Sequence, residues 1–451
     1  MDYTQLNTSQ RQEMYDAIGI QSIDELFDVI PPDIRCENGL DLMPALSELE
    51  LQRAMAEMAS HNDGPHNMPC FMGCGAYDHF YPTLIDQLIS RGEFLTSYTP
   101  YQAEASQGSL QIFFEFQSQI ARLAGLDIAN ASLYDGSTAV AEAALLAINT
   151  TRRNEMLVAS TMHPEYIAVL RTVLSDLDIT ITMLDATNGR ISPETVQENM
   201  SDAVAGVIVQ SPNIWGQIED WDGCFAEAHT VPKTAAIAVF NPIACGILKT
   251  PGECGADIAT GEGQPLGNAL NLGGPYLGLL AAKESYTRKM PGRLVGMTTD
   301  EDGRRVFCLT LQTREQHIRG AKATSNVCTN QGLMAMRASM FMTTLGSDGI
   351  AEMAWQCWHK SHYLANEISK LDGWNLQYDG PFFHEITVVC PCDVTKVVNY
   401  CKSKGVLPGV AAAGRRMQGL SNGDELIIAV TEKRTKQEMD ALVELLKEAS
   451  K

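Results

Sequence analysis

The feature that most restricts the fold is an alternation centred on residues 156–240. Apolar runs at Met156–Ala159, Ile179–Leu184, Val204–Val209 and Ala235–Phe240 alternate with helically spaced segments at Ala139–Ile148, Glu165–Leu174 and Pro193–Met200. Such short runs suit strands buried on both faces, and a helix between successive strands returns the chain so that they run the same way. The pattern predicts an α/β protein with a doubly wound, mostly parallel sheet covered by helices. Pro193 after Ser192, with Glu194 in the first turn, is a strong helix start. Proline needs no N–H there, and the carboxylate complements the helix dipole.

The flanks read differently. The first sixty residues look helical, notably Leu42–Met58 with Leu46, Leu49, Ala54 and Met58 on recurring faces, broken at Pro31-Pro32 and ending at Asn62-Asp63-Gly64-Pro65. A strong helix is expected from Gln107 through Leu110, Phe113, Phe114, Ile120 and Leu123 to Gly125, where glycine takes the left-handed cap cheaply. A hairpin turning at Asp300–Gly303 precedes long helices at Asn330–Leu345 and Ile350–Leu371. Beyond them, strands at His384–Cys390 and Glu425–Val430 and helices at Val394–Ser403 and Lys436–Glu448 suggest a small α+β domain. The expected division is an N-terminal helical arm (1–65), a large domain (66–345) and a small C-terminal domain (346–451).

Charge narrows the partners. In 451 residues, 55 Asp and Glu outnumber 33 Lys and Arg, and a net charge of -22 repels phosphate backbones and anionic lipid. Nucleic acid and membranes are therefore not expected partners. No apolar run reaches the roughly 18 residues that span a bilayer, and Met1-Asp2-Tyr3-Thr4-Gln5 lacks the order of a secretory signal, so a cytoplasmic protein is expected. Twelve scattered cysteines read as reduced thiols rather than a disulfide framework. Cys70 and Cys74 follow His61 and His66 but lack a close-spaced second pair, so no metal site is expected.

Three segments have the makings of chemistry. Tyr98-Thr99-Pro100-Tyr101-Gln102, ahead of the Gln107 helix, offers rigid hydroxyls and an amide to a small-molecule pocket, or else covers the helix base as a surface loop. Asp135-Gly136-Ser137-Thr138 opens a helix and has the ingredients of a phosphate cup, although the same residues make an ordinary N-cap. Gly255 to Gly267, followed by Gly273-Gly274-Pro275-Tyr276, permits tight turns at strand ends, but its spacing is not a dinucleotide fingerprint. His163 can stack on an aromatic ligand or serve the start of the next helix. His359 and His362 lie beside Trp355 and Trp358, as in an interface or core, and Lys249, Lys283 and Lys322 are by default surface charges.

Taken in order, Phe71–His79, Glu93–Gln102, Ala129–Gly136, Gly255–Gly267 and Thr313–Arg319 resemble the alpha chain of the two-subunit bacterial glycine decarboxylases, the P-protein of the glycine cleavage system. The resemblance runs from the arm to the last helix. It implies the aspartate-aminotransferase-like fold of type I pyridoxal-phosphate enzymes and a complex with a pyridoxal-phosphate-bearing beta subunit (subunit 2). It further implies that glycine is decarboxylated and its aminomethyl group passed to the lipoyl arm of the H-protein, with functional links to the T-protein and L-protein. A catalytic chain of that fold needs a lysine to bind the cofactor and an acid facing the pyridine nitrogen. Here the loop reads Gly261-Glu262-Gly263-Gln264-Pro265, and the strand expected to present the acid ends at Asn241. Neither Gln264 nor Pro265 has an amine, and neutral Asn241 is no anionic partner for a pyridinium.

The resemblance therefore points to a helper subunit that holds no cofactor and completes the active site of its partner. Tyr98, Thr99, Tyr101 and Gln102 are the expected catalytic contribution across the interface, and Ser325 and Asn326 the expected contacts to the cofactor phosphate. Arg314 and His317 would order that segment, while Ser137, Thr138 and His163 would be relics of a cofactor pocket. A self-sufficient enzyme using Lys249 or Lys283, or a purely regulatory scaffold, are the alternatives.

Overall fold

A computed structural model describes residues 5–36, 39–323, 325–412 and 423–451. The chain divides into two compact units, Met1–Asn62 and Asp63–Lys451. In the first, helices Thr8–Ile18 and Glu48–Ser60 each open on a capping box, Asn7 with Gln10 and Ser47 with Glu50. The second helix starts later than the apolar spacing from Leu42 suggested. Pro44 disfavours helical backbone in the residue before it, and Ser47 supplies the cap.

The second unit is built on a seven-stranded sheet of β1 (Ile128–Ala129), β2 (Glu155–Ala159), β3 (Thr180–Leu184), β4 (Val204–Ser211), β5 (Ala235–Phe240), β6 (Ile258–Glu262) and β7 (Gly278–Ala282). Its order is β1-β7-β6-β5-β4-β2-β3, with β7 antiparallel to both neighbours and the other pairs parallel. The alternation of side chains along a strand divides each apolar run between two cores. On β5, Ala236, Ala238 and Phe240 face a cluster that includes Leu110, Phe113 and Phe116 of helix Gln107–Ala124. Ala235, Ile237 and Val239 face the other side, where helix Gly136–Thr151 packs through Val140, Ala144 and Ala147. This two-sided burial explains why the central runs carry no polar alternation.

The hairpin β8 (Leu294–Thr299) with β9 (Arg305–Thr310) runs along helix Gln107–Ala124. Two glutamines of that helix act as extra strand partners. Gln107 donates to the Phe307 carbonyl (2.8 Å) and accepts from its N–H (2.9 Å), and Gln117 does the same for Val295 (3.0 and 2.9 Å). They satisfy backbone groups of β8 and β9 that would otherwise go unpaired.

The small antiparallel sheet is ordered β10 (Asn375–Leu376), β11 (Glu385–Val389), β13 (Glu425–Ala429), β12 (Val410–Ala411). Helices Val394–Ser403 and Lys436–Ala449 cover it. The two long helices expected after Asn330 lie within Gly332–Ile368 and meet at a kink where Gly346 adopts φ 63° and ψ -173°. That backbone region is essentially open to glycine alone, so the interruption is encoded by one residue.

Candidate functional site

The segment after β2, the carboxyl end of β6 and the start of helix Gly136–Thr151 enclose the place where open α/β sheets put their ligands. A cavity of about 370 Å³ opens there, lined by Tyr134, Ser137, His163, Tyr166, Glu262 and Tyr276 among others. Several of its polar groups bond one another or the surrounding backbone.

Glu262, at the end of β6, is buried and turns its carboxylate onto the helix start. Oε2 accepts from Gly136 N (2.9 Å), and Oε1 accepts from Gln264 N (2.8 Å) and Leu277 N (2.9 Å). Burial raises the Glu262 pKa to about 8 against the opposing pull of these three donors. Asp135 takes the next donors of the same turn, Thr138 N (2.9 Å) and Ser137 Oγ (2.5 Å). The segment is thus an N-cap, the second of the two readings open for it. Gly136 is needed because a Cβ there would collide with the Tyr166 hydroxyl. Tyr166 in turn stacks on His163, with ring centroids 4.8 Å apart, and its own pKa is driven well above the usual phenol value by burial and by Glu262.

His163 accepts from Glu165 N (3.2 Å) as the N-cap of helix Pro164–Leu174 and meets the Cys74 carbonyl at 2.9 Å. Gln264, almost fully buried, clasps Tyr77 from both sides, accepting from its N–H (2.9 Å) and donating to its carbonyl (3.0 Å). Asn241 caps its own turn by accepting from Ile243 N (2.9 Å) and Ala244 N (3.3 Å). Pyridoxal phosphate does not fit this arrangement. Gly136 N and Thr138 N are already taken by the Glu262 and Asp135 side chains, the Tyr166 ring stacks on one face of His163, and no amine stands at residues 263–265.

The loop Tyr98–Gln102 is a second, open locus. Tyr98 is 78% and Tyr101 53% exposed, so both side chains are largely open to solvent. Underneath, Pro100 is buried and Tyr101 N donates to the Thr99 carbonyl (2.9 Å). The His317 ring meets the Tyr101 ring edge-on at 5.5 Å, and the Arg293 guanidinium lies 5.5 Å from its centroid. Arg314 donates to the carbonyls of Met290, Gly292 (3.2 Å) and Leu311 (3.1 Å), fixing the backbone beside Arg293. Gln102 is exposed and makes no side-chain capping bond.

Ser325 accepts from Val327 N (3.0 Å) and also bonds the half-buried Glu142, whose pKa desolvation lifts to about 7. Asn326 is exposed. Among the described residues no hydrogen bond joins this pair to the Tyr98–Gln102 loop.

The remaining sequence candidates take structural parts. Lys249 pairs with Asp222 (2.9 Å) and Lys283 with Asp257 (2.7 Å). His362 stacks on Phe382 at 3.9 Å. All twelve cysteines are free thiols. Among the described residues the side chains that converge as metal ligands do are His79, Cys357 and Glu432, not the pair Cys70 and Cys74. Sequence reasoning missed Glu262 as the ligand of the helix start and Arg293 beneath the loop. A carboxylate two residues before Gln264 was the available signal for the first, whereas nothing local marks the second.

The strand order and the enclosed site define a chain of the type I pyridoxal-phosphate enzyme fold. A chain of Lactobacillus brevis glutamate decarboxylase, only 14% identical, superimposes with a TM-score of 0.69 over 92% of this chain and 95% of its own. The family is narrower: residues 1–446 match the model of the glycine cleavage system P-protein, and the chain belongs to that family. It is 47% identical to the probable glycine dehydrogenase (decarboxylating) subunit 1 of Prosthecochloris aestuarii over 97% of both chains. It is 44% identical to the protein of the same name from Thermomicrobium roseum over 100% of both. The crystal structure of a glycine decarboxylase (P-protein) in inhibitor-bound form is 39% identical and matches with a TM-score of 0.91 over 100% of both chains. Among the described residues no helix is long and apolar enough to cross a membrane.

Proposed function

We propose that this chain is the subunit of a glycine dehydrogenase (aminomethyl-transferring) that binds no cofactor and completes the active site of a beta partner. The partner carries pyridoxal phosphate covalently, and the assembled complex decarboxylates glycine and delivers the aminomethyl group to the lipoyl arm of the H-protein, in the cytoplasm. The observation that carries this reading is the contrast between a helix start filled by Glu262 and Asp135 and a solvent-facing tyrosine loop set on a buried frame. Tyr98, Thr99, Tyr101 and Gln102 supply hydroxyls and an amide that orient the substrate or the lipoyl arm and help exclude water when the partner covers them. Ser325 and Asn326 face the partner's cofactor phosphate. The chain is divided into the arm 1–65, the large domain 66–345 and the small domain 346–451, and an alpha-beta pair doubles into a tetramer.

The test mixes this chain, alone and with the partner, with pyridoxal phosphate and records absorbance before and after borohydride reduction. Cofactor fixed only on the partner, with carbon dioxide released only by the mixture, is the expected result. An adduct fixed on this chain would end the helper-subunit reading. A regulatory scaffold is distinguished by Tyr101→Phe and Gln102→Ala in the assembled complex. Unchanged turnover in both would favour the scaffold.

A further inference from the structure

We propose that Arg293 is an oxyanion-binding residue of the shared site, poised beneath the Thr99–Tyr101 loop to receive a carboxylate or phosphate presented from the partner subunit. The proposal rests on the shared-site reading above and adds a residue and a ligand chemistry to it.

Among the described residues four arginines are buried: Arg293, Arg314, Arg337 and Arg434. Arg337 holds Asp86 (2.6 Å) and the Gly267 carbonyl (2.5 Å), and Arg434 holds Asp78 (3.1 Å). Arg314 donates to three backbone carbonyls. Arg293, 4% exposed, has only a 3.3 Å contact from Nη2 to the Thr99 hydroxyl and the face of the Tyr101 ring. Its Nε is buried without a partner. Among the described residues no carboxylate pairs with it. A fixed cation removed from water normally finds an anion or a set of carbonyls, because neither a hydroxyl nor a ring face replaces its hydration.

The surroundings explain why the cation is kept in place rather than merely tolerated. Its main-chain carbonyl accepts from Ala131 N (2.9 Å), and Arg314 anchors the Met290 and Gly292 carbonyls just before it. The loop above it is the exposed tyrosine segment. The Glu315 carboxylate, next in the chain to Arg314, pairs with His317 (3.4 Å). A planar guanidinium whose Nε has no partner suits the two oxygens of a carboxylate or phosphate. Two such groups belong to the proposed reaction: the carboxylate of glycine and the phosphate of the cofactor.

The experiment uses the assembled complex with Arg293→Gln and, to keep the charge while removing the fork, Arg293→Lys. Equilibrium titration of the apo complex with pyridoxal phosphate, and of the loaded complex with glycine, reads the two oxyanions separately, and gel filtration reads assembly. The expected result is normal assembly with one titration weakened by at least about tenfold in Arg293→Gln, the scale of one charge-assisted hydrogen bond. A weakened cofactor titration assigns the phosphate, and a weakened glycine titration assigns the carboxylate. Wild-type titrations in both assembled variants overturn the proposal. So does weaker assembly with normal titrations in Arg293→Lys, which would put a partner carboxylate against Arg293. If Tyr101→Phe still lowers turnover in that event, the shared site survives and only the role of Arg293 falls.

Discussion

The Glu262 pocket and the Tyr98–Gln102 rim differ in how they treat polar groups. In the pocket, the helix-start N–H groups, the Gln264 amide and the Glu262 carboxylate are matched among themselves, so a foreign ligand would have to displace internal bonds. At the rim, tyrosines stand exposed and a buried guanidinium has no counter-charge among the described residues. Buried polar groups that satisfy one another make stable packing, whereas groups held in place without partners retain their capacity to bind. On the function proposed above, the difference separates residues that keep the fold from residues offered to a partner.

That comparison can be broken most forcefully at Glu262. Glu262→Ala strands three backbone donors and should cost about 3–5 kcal/mol of stability, measured from the denaturant midpoint of the isolated chain. Tyr101→Ala should cost under about 0.5 kcal/mol by the same measurement. Similar losses from the two substitutions would mean the rim is as integral to packing as the pocket.

Protonation sharpens the same contrast. The Glu262 pKa is raised from an ordinary 4.5 to about 8, so between these values the folded chain holds a proton that the unfolded chain has lost. Stability from this group is therefore fully present below about pH 4.5 and declines as pH rises towards 8, by at most about 1.4 kcal/mol per pH unit. Glu262→Gln keeps the shape and removes the titration, so stability measured at pH 6 and pH 8 should converge in the variant. An unchanged slope would show that other buried acids, such as Glu385 with a pKa of about 7, control it.

Effects on turnover rank next. Tyr101→Phe in the assembled complex should lower it by about tenfold, equivalent to one lost hydroxyl contact of about 1.4 kcal/mol, with assembly intact. Ser325→Ala removes an acceptor from Val327 N and a bond to Glu142. It should cost about 1 kcal/mol or less in stability and weaken cofactor retention in the complex only if Ser325 reaches the phosphate.

The parallel core was legible in the sequence because burial on both faces leaves unbroken apolar runs. Ala235–Phe240 and Val394–Ser403 fall where the pattern placed them, and β2, β3 and β4 differ only at their ends. β6 and β7 were harder to read as strands because Ile258–Glu262 and Gly278–Ala282 mix glycine, alanine and an acid, and β7 runs against its neighbours. The tyrosine loop was visible as Tyr98-Thr99-Pro100-Tyr101, since aromatic hydroxyls around a proline stand out from ordinary loop composition. Arg293 was not, because burial of a charge is decided by segments distant in sequence, here Thr99 and Tyr101.

Glu262 is, in effect, a competitor tethered to the site it occupies. A group attached to the same chain acts at an effective concentration on the order of millimolar or higher, and here it is placed by a strand rather than by a flexible linker. A dissolved anion must outcompete it continuously, so the state of this pocket should be indifferent to the cell's supply of cofactor. Restoring a lysine near residue 264 would leave that competitor in place, and the return to an independent enzyme would require changing the amine and the acid together.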